Sequence, residues 1–282
     1  MIEPGSTVKS AKIAFLGPAG TFSQAAVDKH FGANADKLSM ASIDDVFLAV
    51  EKMQASYGVV PVENSTEGAV NYTQDCLMDT SLSIIAEVVI AIEHNFLMQN
   101  PAALSGIKRV VSHRQSLAQC RIWLKLNWPG ILLQEVSSNA EAARLAAEDI
   151  HTAAIASETA ATNYGLFFHA RNIQDRRDNS TRFLVLARNR VIPEGKAKTS
   201  ILVYTENKPG ALFRVLEPFE KYQVSLTKIE TRPARDDMWA YVFFIDFEGS
   251  INEPAVQNVF LQLKDRAVKI KNLGSYPMAN GQ

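Results

Sequence analysis

Cysteine is scarce in this chain of 282 residues, which has only Cys76 and Cys120, far apart and outside any CxxC pair. A small disulfide-stapled protein is therefore excluded, and a reduced, cytoplasmic protein is the simplest interpretation. The five histidines are scattered and match neither an HExxH motif nor a His/Cys ligand spacing. We therefore expect no metal site.

Charge of one sign is not in excess, because 29 lysines and arginines against 30 acidic residues give a net charge of −1. This balance favours neither nucleic acid nor an anionic membrane as a partner. Long apolar runs are also missing. The longest, Leu82–Ile92, is interrupted by Glu87 and covers only about half of a membrane span. Residues Met1–Ser10 lack the apolar core of a signal peptide.

What is present is the composition of a globular protein, with 47% hydrophobic and 21% charged residues. At roughly 150 residues per domain, the length predicts about two domains. From residue 12 to 188, short apolar runs alternate with helix-period segments, which predicts βαβ units and a largely parallel sheet, as one sheet or two lobes. The predicted strands are Ile13–Leu16, Gly58–Val62, Leu82–Ile92, Arg109–Val111, Ile131–Val136, Ala153–Ala156 and Phe183–Leu186. The predicted helices include Phe22–Phe31, Asp44–Gln54, Gln115–Leu126 and Ala140–Asp149.

The pattern changes at Ala187–Lys198, a basic, non-periodic stretch that we interpret as a linker. The segments beyond it follow the order β-α-β-β-α-β, which is the ferredoxin-like arrangement. Its predicted strands are Thr199–Tyr204, Ser225–Ile229, Trp239–Phe247 and Val268–Leu273, and its predicted helices are Ala211–Tyr222 and Pro254–Arg266. Residues Arg235–Asp237 suit a hairpin loop between the two middle strands.

Several predicted strands of the first domain are followed directly by helix-start signals. The signals are Thr21-x-x-Gln24, Asn64 with the three polar residues after it, Ser112-x-x-Gln115 and Ser138-x-x-Glu141. Helix N-termini present unsatisfied N–H groups, and the carboxyl ends of parallel strands share one edge of a sheet. A pocket rich in neutral donors and suited to a small anion is one interpretation; ordinary helix capping is the other.

Common nucleotide-binding and hydrolase motifs are not found. Residues Gly17–Thr21 are glycine-rich, but they lack the lysine of a P-loop and the third glycine of GxGxxG. No GxSxG nucleophile elbow is present. Spacing alone therefore predicts a two-domain α/β protein with an anion-friendly cleft, and no particular reaction.

Three runs of residues resemble the prephenate dehydratases: 13–23 (IAFLGPAGTFS), 61–68 (PVENSTEG) and 179–183 (NSTRF), in matching order and spacing. Two more, 208–212 (KPGAL) and 229–233 (IETRP), resemble the phenylalanine-sensing ACT domain of the same enzymes. The resemblance implies an α/β protein with a catalytic domain at 11–189, built like the two-lobed periplasmic-type binding proteins. It also implies a ferredoxin-like ACT regulatory domain at 198–275.

The reaction implied by this resemblance is the loss of water and carbon dioxide from prephenate to give phenylpyruvate, in phenylalanine synthesis. Aromatisation of the ring drives this carbon–oxygen lyase reaction, so no cofactor is implied. Because no chorismate mutase segment precedes Lys12, we expect the monofunctional form.

The resemblance also suggests roles for residues. Thr181 would assist the departing hydroxyl through a hydrogen bond that strengthens as charge develops, while Asn64 and Ser65 would orient the substrate. The residues expected to bind the substrate are Ala19, Gly20, Thr21, Glu63, Ser112, Gln119, Arg182 and Phe183. Phe183 has an equally good interpretation as plain core, and Glu63 as a structural cap. We expect His113 to be a first-turn helix residue without a catalytic duty.

In the ACT domain, the resemblance suggests that phenylalanine contacts two short runs: Gly210, Ala211 and Leu212, then Glu230, Thr231 and Arg232. Thr231 replaces the serine usual in the second motif, which keeps the hydroxyl and adds a methyl group, so we expect altered affinity. ACT domains of this family pair across subunits with the effector between them. A homodimer or homotetramer through ACT and catalytic domains is therefore implied; a plain dimerisation domain is the alternative.

Other functions compete with this one. An arogenate dehydratase would act on the amine in place of the keto acid, and a two-lobed ligand sensor would leave Thr181 idle. An amino-acid-responsive transcription regulator lacks support, because no helix-turn-helix segment or basic face is present.

Overall fold

The computed structural model describes residues 11–233 and 241–279. By contact, the chain divides into two compact units. The first contains residues 11–70 and 88–183; the second contains 71–87 and 184–279 apart from the gap. The second unit thus combines the predicted ACT segment with residues 71–87, which lie inside the predicted 11–189 domain.

The strands in chain order are β1 (Lys12–Leu16), β2 (Asp36–Met40), β3 (Tyr57–Asn64), β4 (Gly68–Ala69), β5 (Ser83–Ala91), β6 (Asn95–Met98), β7 (Arg109–His113), β8 (Leu132–Val136), β9 (Thr152–Ala156), β10 (Phe167–Ala170), β11 (Ser180–Ala187), β12 (Ala197–Thr205), β13 (Leu226–Pro233), β14 (Tyr241–Glu248) and β15 (Lys269–Pro277). The α-helices are α1 (Phe22–Phe31), α2 (Ile43–Glu51), α3 (Asn71–Asp79), α4 (Arg114–Gln119), α5 (Arg121–Asn127), α6 (Asn139–Glu148), α7 (Glu158–Tyr164), α8 (Ala211–Lys221) and α9 (Pro254–Leu263). A 3-10 helix spans Pro101–Gly106.

Two sheets are formed by the strands that precede β12, one for each lobe. The first sheet has the order β2-β1-β3-β11-β5 with β4 on β3, and the second has the order β10-β6-β9-β7-β8. The predicted α/β fold with two lobes is confirmed. The expectation of a largely parallel sheet is wrong for the second lobe, where β6 runs antiparallel to both β9 and β10. Neither β6 nor β10, each of four residues, was among the predicted strands.

Apolar side chains cover both faces of the second sheet. Neighbouring residues of one strand point to opposite faces, so one strand can contribute to both clusters. Phe96 and Val110 belong to the apolar cluster on one face. Leu97 and Val111 belong to the cluster on the other face, which α6 and α7 line with alanines. This two-sided burial explains the continuous apolar runs in these strands.

The predicted helix Gln115–Leu126 is wrong as a single element, since the structure breaks it at Cys120 into α4 and α5. The Asp175 carboxylate accepts hydrogen bonds from the backbone N–H groups of Ile122 and Trp123 at 3.1–3.3 Å. These bonds satisfy the first turn of α5. Asp175 lies more than 50 residues further along the chain, so no local pattern reveals the break.

The second unit contains the predicted βαββαβ fold. Its antiparallel sheet has the order β13-β14-β12-β15, and α8 and α9 contribute Val215, Phe219, Val256, Val259 and Leu263 to the core beneath it. The ferredoxin-like prediction is therefore confirmed. Trp239 and the predicted hairpin loop Arg235–Asp237 lie outside the described residues.

Residues 71–87 are tied to the ACT sheet by charged side chains within this unit. Lys271 Nζ donates to the backbone carbonyls of Leu77, Met78 and Thr80 at the end of α3. A cation at this position also suits the negative end of the helix dipole. Lys198 Nζ lies 2.8 Å from Glu87 Oε1, and both side chains are nearly buried.

Candidate active site

A cavity of about 270 Å³ lies in the first unit, where β3, β11 and the starts of α1, α4 and α6 contribute side chains. Its walls include Asn64, Gln119, Asn139, Asn179 and Thr181. Among the residues the structure describes, neither lysine nor arginine lines this cavity. Its polar walls are formed mainly by carboxamides and hydroxyls.

The centre of the site is the contact between Asn64, at the end of β3, and Thr181, at the start of β11. Asn64 Nδ2 lies 2.9 Å from Thr181 Oγ1. Asn64 Oδ1 accepts from the backbone N–H groups of Thr66 and Glu67 at 2.9 and 3.0 Å, which identifies the oxygen end of this carboxamide. The nitrogen end therefore donates to Thr181, and the threonine hydroxyl keeps its own hydrogen for another acceptor.

Asn179 and Ser65 hold this pair in place. Asn179 Oδ1 accepts from Asn64 Nδ2 at 2.9 Å, while Asn179 Nδ2 lies 3.3 Å from Gln119 Oε1. Ser65 Oγ accepts from the backbone N–H of Ser180 at 2.9 Å, and the Ser65 N–H donates to the Ser180 carbonyl at 2.9 Å. Ser65 thus ties the turn after β3 to the start of β11.

A second group of side chains surrounds Asn139 at the start of α6. Asn139 Oδ1 lies within 2.9–3.2 Å of Ser112 Oγ, Ser116 Oγ and the backbone N–H of His113. Ser116 and the His113 N–H donate to this oxygen, so the amide nitrogen of Asn139 remains for the cavity. The pattern presents N–H donors to a ligand, which suits an anion.

The predicted helix caps at Thr21, Asn64 and Ser112 are wrong. Thr21 directly precedes α1 but makes no side-chain cap, because its hydroxyl donates to the Leu16 carbonyl. Ser112 lies inside β7, and His113 caps α4 instead. Asn64 begins a turn that leads to β4, not a helix. Only Ser138 caps as predicted, accepting from the Glu141 N–H at 3.0 Å.

The structure separates the predicted substrate-binding residues. Gln119 lines the cavity, whereas Ala19, Gly20, Thr21 and Ser112 do not. The Gly20 N–H already donates to Gln24 Oε1 at 2.8 Å, so it is not available to a carboxylate. Ser112 is completely buried, and its hydroxyl lies 2.6 Å from the Ile155 carbonyl.

Glu63, Arg182 and Phe183 also lie away from the cavity walls. Alternation along β3 and β11 sends Glu63 and Arg182 to the face opposite Asn64 and Thr181. There Arg182 Nε lies 3.5 Å from Glu63 Oε2. Phe183 is 2% exposed, which agrees with its interpretation as core.

The predicted site residues did not include seven polar residues of the cavity wall: Glu67, His94, His113, Gln115, Ser116, Asn139 and Asn179. Asn179 is the first residue of the run NSTRF, which carries the family resemblance, so the sequence did offer a signal for it. His113 is the N-cap of α4 rather than a first-turn residue, and its ring Nδ1 accepts from the Gln115 N–H at 3.4 Å. Burial lowers the pKa of His94, although its hydrogen bond to Gln119 acts in the opposite direction. Nothing in the local sequence marks His94.

The residues predicted to bind phenylalanine lie in the second unit. Gly210 adopts a left-handed conformation (φ +76°) and precedes α8, whose first turn contains Ala211 and Leu212. On β13, Glu230 and Arg232 share one face and Thr231 points to the other. Arg232 Nη2 lies 2.7 Å from Asp75 Oδ1 on α3.

Neither a metal-binding cluster nor a membrane-spanning helix occurs in the part of the chain that the structure describes. No cluster of three or more His, Cys, Asp or Glu residues there could hold a metal ion. No described helix has the length and apolar character needed to cross a membrane.

The family model for prephenate dehydratase matches residues 13–191, and that for the ACT domain matches residues 199–265. The chain is 48% identical to a bifunctional chorismate mutase/prephenate dehydratase of Pseudomonas aeruginosa, covering 95% of this chain and 73% of the relative. It is 37% identical to an arogenate dehydratase/prephenate dehydratase of Arabidopsis thaliana, over 99% of this chain and 76% of that protein. The crystal structure of an Arthrobacter aurescens prephenate dehydratase in complex with L-Phe superposes with a TM-score of 0.88, at 33% identity, covering 96% of this chain and 91% of the other.

The two-lobed fold, its polar cavity without lysine or arginine among the described wall residues, and the appended ACT domain define a lyase with a regulatory module. The chain belongs to the prephenate dehydratase family.

Proposed function

We propose that the cavity beside Thr181 converts prephenate to phenylpyruvate. In this reaction the bond from the ring to its carboxylate breaks and releases carbon dioxide. The electron pair enters the ring, the bond to the ring hydroxyl breaks, and the ring becomes aromatic. The departing hydroxide takes a proton from solvent and leaves as water.

The observation that carries the proposal is the donor assignment at Thr181. Because its oxygen accepts from Asn64 Nδ2, its hydrogen points to another acceptor, and Thr181 lines the cavity. That acceptor is the leaving oxygen, on which negative charge grows as the bond breaks. The Asn64 bond also polarises the hydroxyl and makes it a better donor.

The carboxylates of prephenate are recognised by uncharged donors. The nitrogen ends of Gln119 and Asn139 supply them, while Ser116 and the backbone N–H of His113 hold the Asn139 oxygen. Ser112 donates to the Ile155 carbonyl and stays behind the wall. Arg176 lines a second small cavity that shares Gln119 and Asn179, but its guanidinium is exposed and paired with Asp178 at 2.7 Å. Ala19, Gly20 and Thr21 shape the start of α1, where Phe22 reaches the wall. The Glu63–Arg182 pair holds β3 beside β11.

L-Phenylalanine is the effector in this proposal, as supported by the relative that was crystallised with it. The first-turn amides of α8 after Gly210, with Ala211 and Leu212, receive its carboxylate, since a helix N-terminus favours an anion. Glu230, Thr231 and Arg232 complete the site at the contact between two ACT domains of a homodimer or homotetramer. A cytoplasmic location fits the cysteines, which form no disulfide.

The test is phenylpyruvate formation from prephenate by wild type, Thr181→Ala and Thr181→Ser, with and without L-phenylalanine. We expect kcat to fall at least about tenfold in Thr181→Ala and to recover largely in Thr181→Ser, which restores the hydroxyl. Near-normal turnover in a folded Thr181→Ala variant would remove Thr181 from the reaction.

Arogenate is the second candidate substrate, because relatives named arogenate dehydratases are 36–37% identical to this chain. The two compounds differ only in a keto or an amino group on the side chain. Comparing kcat/KM for both with the wild-type protein decides between them.

A further inference from the structure

His94 is a buried wall residue to which the proposed mechanism assigns no role. It is only 1% exposed and lines the same cavity as Thr181. Its ring meets the Phe22 ring edge to face, with centroids 5.9 Å apart. Its backbone N–H donates to Gln174 Oε1 at 2.9 Å, and its carbonyl accepts from the Ile173 N–H at 2.8 Å. The imidazole is therefore held in a defined place.

The donor and acceptor assignments in the site also determine which nitrogen of the His94 ring carries the hydrogen. Asn64 donates to Asn179 Oδ1, which leaves Asn179 Nδ2 as the donor towards Gln119. The atom of Gln119 that faces Asn179 is therefore Oε1. His94 Nε2 lies 2.8 Å from this same oxygen, so it must carry the hydrogen of the neutral imidazole. The backbone N–H groups of Thr66 and Glu67 thus fix the orientation of Asn64. Each following hydrogen bond fixes the orientation of the next side chain, and the series ends at His94.

The consequence for Gln119 is a fixed orientation. Its oxygen accepts from His94 Nε2 and Asn179 Nδ2, so its amide nitrogen is turned away from both. No side chain in the described part of the molecule accepts a hydrogen bond from that nitrogen. With the carboxamide reversed, the oxygen would face an anionic ligand and repel it.

The other ring nitrogen is consistent with this assignment. His94 Nδ1 is buried without a hydrogen-bond partner among the described residues. An imidazolium would place an N–H there that nothing satisfies, which is costly in a buried position. The ring is thus suited to remain neutral and to act as a single donor.

We propose that His94 is a positioning residue, which donates from Nε2 to Gln119 and so directs the Gln119 amide nitrogen towards a substrate carboxylate. This inference rests on the proposed function, in that the ligand is a dicarboxylate bound in this cavity. The role is one of orientation and not of proton transfer. It acts mainly on substrate binding, so its effect belongs to KM more than to kcat.

The experiment is a double-mutant cycle with prephenate as substrate. We expect KM to rise at least about tenfold in His94→Leu, because Gln119 loses a donor that fixes it. His94→Gln, which returns an N–H donor at similar reach, should lie within about threefold of wild type. In the Gln119→Leu background, His94→Leu should raise KM no further, since a residue acting through Gln119 has nothing left to orient.

A matched control is Asn95→Ala, which removes a neighbouring side chain that is 2% exposed and bonded to the Ala156 carbonyl but does not line the cavity. It should lower the thermal midpoint and leave KM unchanged. Multiplicative KM effects of His94→Leu and Gln119→Leu, or an unchanged KM in a folded His94→Leu variant, would overturn the proposal.

The tautomer supplies a readout that needs no turnover. A long-range ¹H–¹⁵N spectrum of the wild-type protein should contain the pattern of a neutral, Nε2-protonated histidine that disappears in His94→Gln. A signal from the Nδ1-protonated form at this residue would contradict the inference even if the enzyme is active. An inactive wild type that shows the expected tautomer would instead refute the proposed function.

Discussion

Asn64 Nδ2 lies 2.9 Å from Thr181 Oγ1, although the two residues are separated by 117 positions in the chain. Their strands, β3 and β11, are neighbours in the first sheet, which brings the end of one beside the start of the other. The contact gives the two atoms of the Thr181 hydroxyl different hydrogen-bond roles. The oxygen accepts from Asn64, and the hydrogen remains for the ligand.

Asn64→Asp tests this donor assignment. The carboxylate would accept the Thr181 hydrogen, repel Asn179 Oδ1 and oppose an anionic substrate. We expect kcat to fall by about hundredfold, the size seen when one donor to a developing anion is removed. Asn100→Asp is the matched control, because Asn100 only caps the 3-10 helix, a role that aspartate fills equally well. Equal activities of the two variants on prephenate would refute the assignment.

Gly210→Val tests the proposed effector site. Valine does not adopt φ +76° readily, and its branches would crowd the amides at the start of α8. We expect the affinity for L-phenylalanine, measured by calorimetry, to fall at least about tenfold. Gly195→Val is the control, since Gly195 has φ +74° but open space around it, in the segment between β11 and β12. Unchanged affinity in Gly210→Val would place the effector elsewhere.

Gly274→Ala should destabilise the ACT unit strongly. A Cβ at this position would lie 2.2 Å from the Ile84 carbonyl oxygen, and the backbone has φ +143°. A contact this short forces β15 and β5 apart within their unit. We expect a loss of roughly 3 kcal/mol or more in the free energy of unfolding, measured with urea. Gly32 also has a positive φ, +89°, but no atom lies within 4 Å of the added Cβ, so Gly32→Ala should cost clearly less.

Acidification should weaken the fold through His94. Burial lowers its pKa below the ordinary value of 6.5, so the unfolded chain binds a proton that the folded protein resists. The free energy of unfolding is therefore expected to decrease as pH falls below about 6.5. Urea titrations of wild type and His94→Gln between pH 7.5 and about 5 measure this, and the variant should show the shallower slope. Identical slopes would mean that folding does not lower the pKa of His94.

Much of the architecture followed from local patterns. Helix α1 begins and ends at the predicted residues, and the βαββαβ order was readable because its strands and helices are long and regularly spaced. The break at Cys120 was not readable, because Asp175 makes it from a distant loop. Strands β6 and β10 were missed, and their antiparallel pairing with distant segments was not readable from local patterns.

For the site, the sequence determined which residue types stand in the runs around Asn64 and Thr181, and these runs identified the family. Only the tertiary structure decided their use, because hydrogen bonds between side chains depend on which strand ends meet and on which face each residue lies. It set Thr181 on the cavity side and its neighbour Arg182 on the other, next to Glu63. It also brought His94 to Gln119, a contact for which no spacing along the chain gives a signal.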